Sequence, residues 1–479
     1  MEAFNTFLGS VDDFVWGVWL IVLILAVGLF LTIRSGGVQF KKLGLAFKYI
    51  FENDSSGKHG EVSSFGALCT ALSATIGTGN IVGVATAICA GGPGALFWMW
   101  IAALLGTATK YAECLLATKY RVVAEDGHVI GGPFYYIENG MGQKWKWLAK
   151  LFAALGAGAG LLGIGTITQI NGITSAVENF VDPDKMHTIS LFGGEYTWAV
   201  VVAGIIVTVC TALVVIGGIK RITKVSTVVV PFMAVLYVVA AVLILVCNIT
   251  AIPAAFVEII QSAFGMRAAA GGALGAMVLA MQKGIARGIF SNEAGLGSAP
   301  IAAAAAKVDS PAKQGLISMT GTVIDTLIIC TMTGLSIVLT GAHTAAAEMG
   351  LEGAQVTNYA FQQGLPFPAK VSSFILMICL AFFAFTTILG WDYYSERCLE
   401  YLTNGKMLPV KVFRWLYIVA VFIGPFLTVS AVWTIADIFN GLMAVPNLIA
   451  LVALGGVVAA ETKIFMDKFK TDKKAEKQA

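Results

Sequence analysis

The feature that most constrains this chain is a series of apolar blocks, each about 20 residues long, that recur along most of its 479 residues. A helix rises 1.5 Å per residue, so a block of roughly 20 residues matches the hydrocarbon core of a bilayer. Charged residues make up only 12% of the chain, against about 25% in soluble domains. The blocks therefore predict an all-α integral membrane protein and exclude a soluble one.

Polar residues and Gly/Pro breaks divide the sequence into eleven predicted spans. The intervening segments are short and none resembles a soluble domain, so 1–479 is predicted to form a single transmembrane domain. No Lys or Arg precedes the first block and no small-residue cleavage site follows it, so it is predicted to be a span rather than a signal peptide. The spans lie approximately at 15–33, 64–90, 94–118, 148–178, 197–217, 223–247, 268–306, 314–340, 371–391, 412–430 and 433–460.

Lys and Arg are concentrated in alternate loops. They follow the odd-numbered spans up to the ninth and form a basic tail at 461–479, whereas the N-terminus is acidic and 341–369 contains neither residue. Cytoplasmic loops carry an excess of Lys and Arg. The N-terminus is therefore predicted outside and the C-terminus inside the cytoplasmic membrane of a prokaryote, which requires an odd number of spans.

Two predicted spans are too long and too rich in glycine to be straight helices. The second contains Ile76-Gly77-Thr78-Gly79-Asn80, and the seventh contains several polar residues and glycines between 283 and 297. A break in the bilayer frees backbone groups that a ligand, ion or water must satisfy. The two spans each lead a set of five, at 64–247 and 268–460, which predicts an inverted repeat after one extra helix at 15–33. Paired broken helices indicate a secondary transporter with a central binding site.

A broken helix offers binding sites for both charges of an amino-acid zwitterion. The N-terminus of a half-helix carries about +0.5 e and suits a carboxylate, whereas a C-terminus and free carbonyls suit an ammonium group or a cation. The N–H groups of Thr78 and Gly79 are predicted to face the carboxylate, and the carbonyls of Ser73 and Thr75 the cation side. Glycine permits close approach of the backbone, which favours a small substrate.

Other polar residues within the spans are candidates for function because burial in a membrane is costly. Gln169 and Asn171 would bind substrate or, equally well, form interhelical hydrogen bonds. Lys283 and Arg287 are four residues apart and share a helix face, and Asp325 is predicted to pair with one of them in a structural ion pair.

Two groups of residues are predicted to serve packing only. The glycines between 156 and 165 are typical of close helix contacts. Six cysteines lie in apolar blocks without metal-ligand spacing and are predicted to be small buried hydrophobic residues: Cys69, Cys89, Cys210, Cys247, Cys330 and Cys379.

Five segments, read together, carry a family resemblance. They are GTGNIVGVATA at 77–87, GGPGALFWMW at 91–100, GGPFYYIE at 131–138, GIFSNEAGLGSAP at 288–300 and FTTILGW at 385–391. Here the sequence resembles the alanine/glycine:cation symporter family, also called the sodium:alanine symporters. The resemblance implies a LeuT-like five-plus-five inverted repeat preceded by one extra helix, and import of alanine or glycine with sodium.

The resemblance also implies where the ligands bind. Substrate is expected between the second and seventh spans, with candidate residues Thr75, Thr78, Gly79, Asn80, Gln169, Gln282, Ser291 and Trp391. Sodium, the expected coupling ion, would be held by the carbonyls of Ser73 and Ile76 together with Thr386 and Thr387. Some proton-coupled relatives of the wider fold place a lysine from the fifth core helix there. The sixth span has only Lys224, at its end, which favours sodium over protons.

Two other classes of protein fit the sequence poorly. A channel would need a carbonyl-rich filter or a charged ring, and neither is present in the sequence. An enzyme would need a nucleophile or metal ligands near the membrane centre, but His59, His128, His187 and His343 are all expected in loops. The expected partners are a small amino acid and the lipid bilayer, without nucleic acid or an obligate protein partner. Proton coupling, another small neutral amino acid, and D- or L-alanine remain open.

Overall fold

The computed structural model describes residues 2–52, 60–124, 127–191, 194–266, 272–427 and 429–478. Helices account for most of this part of the chain. The helices before the first predicted repeat are α1 (Glu2–Val15), α2 (Val18–Arg34), α3 (Val38–Lys41) and α4 (Leu43–Phe51). The predicted extra helix at 15–33 corresponds to α2, and α1 is a further helix in front of it.

The segment predicted as the first repeat contains one sharply bent helix and several long ones. Its helices are α5 (Ser64–Thr75), a π-helical turn (Gly79–Gly83), α6 (Val84–Gly91), α7 (Gly94–Lys119), α8 (Pro133–Tyr135), a π-helical turn (Tyr136–Met141), a 3-10 turn (Gln143–Trp145), α9 (Lys146–Leu162), α10 (Ile167–Val181), α11 (Trp198–Val215) and α12 (Gly218–Cys247).

A 3-10 turn (Ile249–Ala251) and α13 (Ile252–Ala263) connect this segment to the second predicted repeat. The second repeat and the tail contain α14 (Ala273–Asn292), α15 (Ala299–Ala303), α16 (Pro311–Thr322), a π-helical segment (Val323–Cys330), α17 (Thr331–Leu339), α18 (Ala342–Met349), α19 (Ala354–Gly364), α20 (Ala369–Leu402), α21 (Met407–Ile423), a 3-10 turn (Gly424–Phe426), α22 (Val429–Ala453) and α23 (Gly455–Gln478). The basic tail is therefore largely helical.

Eight helices in the described residues are long and apolar enough to cross a membrane, and the bent pair Ser64–Thr75 with Gly79–Gly91 makes a ninth candidate. The segments Gly94–Lys119 and Ala273–Asn292, which belong to the third and seventh predicted spans, do not meet that test. The all-α membrane fold is confirmed, while the count of eleven spans and the inverted repeat remain predictions.

Both predicted helix breaks are present. In the first broken segment (α5, Gly79–Gly83 and α6), the two halves are bent by 52° after Thr75. In the second broken segment (α14, 293–298 and α15), Glu293, Gly295 and Gly297 have φ angles of 57°, 92° and 81°. Glycine adopts such positive angles without a steric penalty, which explains why the second break contains two of them.

A third break was not predicted. The span expected at 148–178 is divided between Leu162 and Ile167. The glycines around this break permit close packing, as predicted: a Cβ added at Gly163 would lie 2.6 Å from Ala436 Cβ, and one at Gly165 would lie 2.6 Å from Trp391 Cβ. The same residues that allow helix contact therefore also accommodate a change in helix direction.

Within the described residues, three pairs of short strands lie between the helices: β1 (Val62–Ser63) with β6 (Ala306–Lys307) in parallel, β2 (Val122–Val123) with β3 (Val129–Ile130) antiparallel, and β4 (Thr188–Leu191) with β5 (Gly194–Thr197) antiparallel. In the first pair Val62 is opposite Ala306 and Ser63 opposite Lys307. This pair joins the start of the first broken segment to the end of the second.

The outer surface of α11 and α12 is strongly apolar, with Val209, Leu213, Val228 and Val235 among its exposed side chains. Such a surface is suited to lipid. The cysteine prediction is partly wrong, since Cys69, Cys330 and Cys379 are buried but Cys89, Cys210 and Cys247 are exposed. The exposed thiols lie on α6, at the outer surface of α11 and at the end of α12.

Candidate substrate and cation site

The two broken segments meet at Gly79. A Cβ added at Gly79 would lie 3.3 Å from both Phe290 Cδ1 and Ser291 Cα, near the end of α14. Such a distance is tighter than an ordinary van der Waals contact, so a larger residue at Gly79 would push the two segments apart. Gly79 thus permits the unwound backbone of one segment to approach the other.

Side chains satisfy the backbone freed at the first break. The Gly77 N–H donates to Asn80 Oδ1 at 2.9 Å, and the Thr78 N–H donates to Gln169 Oε1 at 3.2 Å. Gln169, on α10, donates in turn from Nε2 to the Ile164 carbonyl at 3.0 Å. The Thr78 hydroxyl is buried and has no hydrogen-bond partner among the described residues. Four of the predicted substrate-binding residues, Thr78, Gly79, Asn80 and Gln169, therefore belong to one connected region.

Asp325 connects this region to the second broken segment. Its carboxylate is fully buried and accepts hydrogen bonds from Asn80 Nδ2 at 2.6 Å, Ser291 Oγ at 2.9 Å and Thr326 Oγ1 at 2.7 Å. Asp325 lies in the π-helical segment Val323–Cys330, and such distortions are frequent at functional sites. Ser291, predicted to bind substrate, is thereby linked to Asn80 through a shared carboxylate.

The predicted pairing of Asp325 with Lys283 or Arg287 is wrong. Arg287 binds Asp437 of α22 through two hydrogen bonds, at 2.9 and 3.0 Å. Arg287 lies four residues before Ser291, about 6 Å away along the helix axis, whereas Asp325 lies level with Ser291. The guanidinium therefore meets the carboxylate on α22, and hydroxyl and amide donors surround Asp325 instead.

The residues expected to hold sodium are only partly together. The Thr387 hydroxyl lies 3.2 Å from the Ile76 carbonyl and 3.0 Å from the Phe383 carbonyl. The adjacent Thr386 hydroxyl instead bonds to the Phe383 carbonyl at 3.0 Å and approaches Met233 Sδ of α12 at 3.5 Å. Thr387 therefore faces the first break, whereas Thr386 faces another helix.

The Ser73 hydroxyl, for its part, donates to the Thr70 carbonyl at 2.7 Å within α5. The described residues contain no group of three or more His, Cys, Asp or Glu side chains that would hold a metal ion. A cation near Thr387 would be held mainly by carbonyl and hydroxyl oxygens, which are hard ligands. The roles of Ser73, Ile76, Thr386 and Thr387 remain predictions.

Gln282 lies away from the junction of the broken segments. It precedes Ser291 by nine residues, about 13 Å along α14, and it lines a separate cavity of about 250 Å³. Trp391 is fully buried beside Tyr394, with ring centroids 5.6 Å apart. The Thr75 hydroxyl bonds to the Ala71 carbonyl of its own helix at 2.6 Å. The eight candidate substrate residues therefore do not all lie at the junction.

Other predicted polar residues have mainly structural contacts. Asn171 Nδ2 donates to the Ile167 carbonyl at 2.9 Å and to the Gly424 carbonyl at 3.0 Å, which is the interhelical alternative. His343 lies in α18 rather than in a loop, and His128 Nε2 lies 2.6 Å from Glu400 Oε1. His59 lies outside the described residues.

A buried polar network at the second break was not predicted. Glu113 Oε1 accepts from the Gly295 N–H at 3.1 Å and from Asn447 Nδ2 at 2.6 Å, and Asn447 Nδ2 also donates to the Gly295 carbonyl at 2.9 Å. The Tyr136 hydroxyl donates to Asn447 Oδ1. Both backbone groups of Gly295 are thus bound by side chains from α7 and α22. Glu113 lies within an apolar span and was recognisable as an intramembrane ionisable residue.

Broken helices that meet at buried polar side chains, within a bundle whose surface is apolar, define a secondary transporter. The structure is similar to the crystal structure of MhsT in complex with L-phenylalanine, with a TM-score of 0.56, 14% identity, and coverage of 85% of this chain and 99% of that chain. This similarity shows the LeuT-like fold. The chain belongs to the sodium:alanine symporter family, whose model matches residues 1–479.

Two relatives match over almost their full lengths. An uncharacterised transporter of Haemophilus influenzae is 53% identical over 97% of both chains. The sodium/alanine symporter AgcS of Methanococcus maripaludis is 44% identical over 98% of this chain and 99% of its own. The protein is therefore a multi-pass amino-acid symporter of the membrane and not an enzyme.

Proposed function

We propose that the protein imports alanine or glycine together with sodium, by alternating access across the cytoplasmic membrane of a prokaryote, with its N-terminus outside. The observation that carries the proposal is the contact between the two broken segments at Gly79, beside the buried polar residues Asn80, Ser291 and Asp325. The 44% identity to a sodium/alanine symporter supports the choice of substrate and ion.

The substrate carboxylate would bind at the first break. Thr78 provides a backbone N–H and a buried hydroxyl without a hydrogen-bond partner in the described chain. Gln169 Oε1 accepts the hydrogen bond from that N–H in this structure. A carboxylate oxygen of the substrate would take the place of the Gln169 oxygen as the acceptor. Because hydrogen bonds to a charged acceptor are stronger than those to a neutral one, the exchange favours the bound substrate.

The substrate ammonium would lie on the side of Asp325. This buried carboxylate, together with the carbonyls at the end of α14, makes that side of the junction electronegative. The opposite charges of a zwitterion thus match opposite sides of the junction. Close packing of Gly79 against Phe290 and Ser291 leaves little room for a large side chain, which supports alanine or glycine as the substrate.

Sodium would bind between α5 and α20, at the carbonyls of Ser73 and Ile76 and the hydroxyl of Thr387. The hydrogen bond from Thr387 to the Ile76 carbonyl already joins the two helices at this point. A cation there would stabilise the first break in the conformation that binds substrate. By linkage, substrate would raise the affinity for sodium by the same factor as sodium raises the affinity for substrate.

The test is uptake by the purified protein in liposomes. Radiolabelled glycine, L-alanine, D-alanine and larger neutral amino acids would be compared with a sodium gradient, with potassium replacing sodium, and with a proton gradient alone. We expect sodium-driven accumulation of the small substrates, and saturable counterflow that a channel would not show. Full uptake driven by protons without sodium would overturn sodium coupling, and preference for a larger amino acid would overturn the substrate.

A further inference from the structure

The third break, at 163–166 between α9 and α10, is not part of the proposed substrate or cation site. A break at membrane depth persists only where other groups bind the backbone that it frees. Two of the donors here are local, since the hydroxyls of Thr166 and Thr168 bind carbonyls in the break and in the turn before it, at 2.8 to 3.2 Å. Two more donors, Gln169 and Tyr417, also bind other parts of the protein. The break is therefore connected to its surroundings by side chains as well as by packing.

Gln169 joins the third break to the first. Its Nε2 donates to the Ile164 carbonyl at 3.0 Å, within the third break, and its Oε1 accepts from the Thr78 N–H at 3.2 Å, within the first. In the proposed function the substrate carboxylate takes over the Thr78 N–H and releases the Gln169 oxygen. Because the same amide group also holds the Ile164 carbonyl, its release at the first break changes the constraint on the third.

Tyr417 of α21 joins the third break to α20. Tyr417 is fully buried, and its hydroxyl lies 2.7 Å from the Gly165 carbonyl and 2.7 Å from the Ile388 carbonyl. A hydroxyl has one hydrogen to donate, so the two carbonyls compete for it. Ile388 directly follows Thr387, whose hydroxyl lies 3.2 Å from the Ile76 carbonyl at the proposed sodium site. The hydrogen bond that Tyr417 makes to α20 beside this site therefore depends on the position of Gly165.

The residues at the two ends of this connection lie on either side of Gly77 in the first break. A Cβ added at Gly77 would overlap Thr387 Oγ1 and would lie 3.2 Å from Gln169 Oε1. One glycine thus separates the hydroxyl of the proposed cation site from the amide of the proposed substrate site. The two sites are therefore joined twice, directly through the first break and indirectly through the third.

We infer that the third break couples the substrate site to the cation site, with Gln169 and Tyr417 as positioning residues, an inference that rests on the proposed function. When substrate displaces Gln169 from the first break, the third break relaxes and the Tyr417 hydroxyl shifts from Gly165 towards Ile388. This shift fixes the turn of α20 that carries Thr387. Sodium acts along the same path in the opposite direction, as linkage requires. Four residues outside helical geometry can adopt two arrangements, whereas a continuous helix would already pair each of these backbone groups.

The dependence of alanine binding on sodium tests the inference. Equilibrium binding of radiolabelled L-alanine to the purified full-length protein is measured at low and at saturating sodium, and the ratio of the two dissociation constants is the coupling factor. Tyr417→Phe removes only the hydroxyl and should lower this factor at least threefold, while alanine affinity at low sodium changes less than twofold. Tyr111→Phe removes an equally buried hydroxyl, 2.8 Å from Thr462 Oγ1 and outside this connection, and should keep the wild-type factor. Equal losses of affinity at both sodium concentrations in Tyr417→Phe would indicate a merely structural role and overturn the inference.

A variant at the other end of the break provides a second measurement, which decides alone if Tyr417→Phe does not fold. Gln169→Asn shortens the side chain by one methylene, so the amide no longer reaches both Thr78 and Ile164, and the coupling factor should again fall at least threefold. The double variant should lose no more than the larger single loss, because both residues act on one element. An unchanged factor in Gln169→Asn, or losses that multiply in the double variant, would overturn the inference while sodium-dependent binding by the wild type still supports the proposed function. Wild-type binding that does not depend on sodium would overturn the proposed sodium coupling, and the inference with it.

Discussion

Two adjacent threonines provide a sharp test of the cation site. Thr387→Val replaces the hydroxyl that lies 3.2 Å from the Ile76 carbonyl with a methyl group of similar size. Thr386→Val makes the same chemical change one residue earlier, where the hydroxyl faces the Phe383 carbonyl and Met233. The pair is matched in helix, burial and chemistry, and the two variants differ mainly in what the hydroxyl contacts.

The magnitude follows from the loss of one neutral oxygen contact. A neutral buried hydrogen bond or equivalent contact contributes about 0.5–1.5 kcal/mol. Since 1.4 kcal/mol corresponds to a factor of ten, Thr387→Val should raise the sodium concentration for half-maximal uptake roughly 2- to 12-fold. Thr386→Val should change it less than about twofold, because its hydroxyl mainly bonds to its own helix.

The assay is the initial rate of alanine uptake into proteoliposomes as a function of external sodium, for both variants and the wild type. Substrate affinity measured at saturating sodium should change little in either variant, which separates a cation ligand from general damage to the site. A larger shift in Thr386→Val, or an unchanged sodium dependence in both, would refute the assignment of the Thr387 hydroxyl to the cation.

Three further predictions address the Arg287–Asp437 ion pair, the junction of the two broken segments and the orientation in the membrane. Arg287→Gln and Asp437→Asn should each destabilise the protein in thermal unfolding by roughly 2 kcal/mol. This is below the 3–5 kcal/mol typical of fully buried pairs, because the Arg287 side chain is 26% exposed. The double variant should recover most of this loss, and additive losses would contradict the pair. Gly79→Leu should abolish substrate binding while the protein still reaches the membrane, whereas Gly275→Leu, where an added Cβ meets nothing within 4 Å, should transport normally. An impermeant thiol reagent should label from outside a single cysteine placed in 343–353, but not one placed in the C-terminal tail; the reverse pattern would contradict the orientation.

The two helix breaks at the proposed site were predictable because each combines glycine with polar neighbours in a span that is too long. The third break, between Leu162 and Ile167, was not. Its predicted span, at 148–178, is also long, but most of its glycines have apolar neighbours, and packing alone explains them, as the contact of Gly163 with Ala436 shows. Glycine by itself does not distinguish a break from a close helix contact.

Contacts between helices were the least predictable feature. The spacing of Lys283 and Arg287 placed both on one face of α14, but it did not indicate which helix that face would meet. The structure gives α22, so that Asp437 rather than Asp325 pairs with Arg287. Similarly, Gln282 was grouped with the substrate-binding residues, although it lines a separate cavity. The position of a residue along its own helix does not determine which residues of a neighbouring helix lie at the same depth in the membrane.

The chemistry of the groups that satisfy the two breaks suggests how the carrier returns without substrate. At the first break a neutral amide, Gln169 Oε1, accepts from the Thr78 N–H, whereas at the second break a carboxylate, Glu113, accepts from the Gly295 N–H. A substrate carboxylate can replace the neutral amide of Gln169, whereas the Gly295 N–H is already bound by a carboxyl group that Asn447 also holds in place. In the proposed mechanism the substrate carboxylate would therefore bind at the first break, and Gln169 would satisfy the same N–H when the site is empty. An unsatisfied buried N–H costs about 1–3 kcal/mol. The hydrogen bond from the Thr78 N–H to Gln169 therefore lowers the free energy of the empty state, through which a symporter must pass in each cycle.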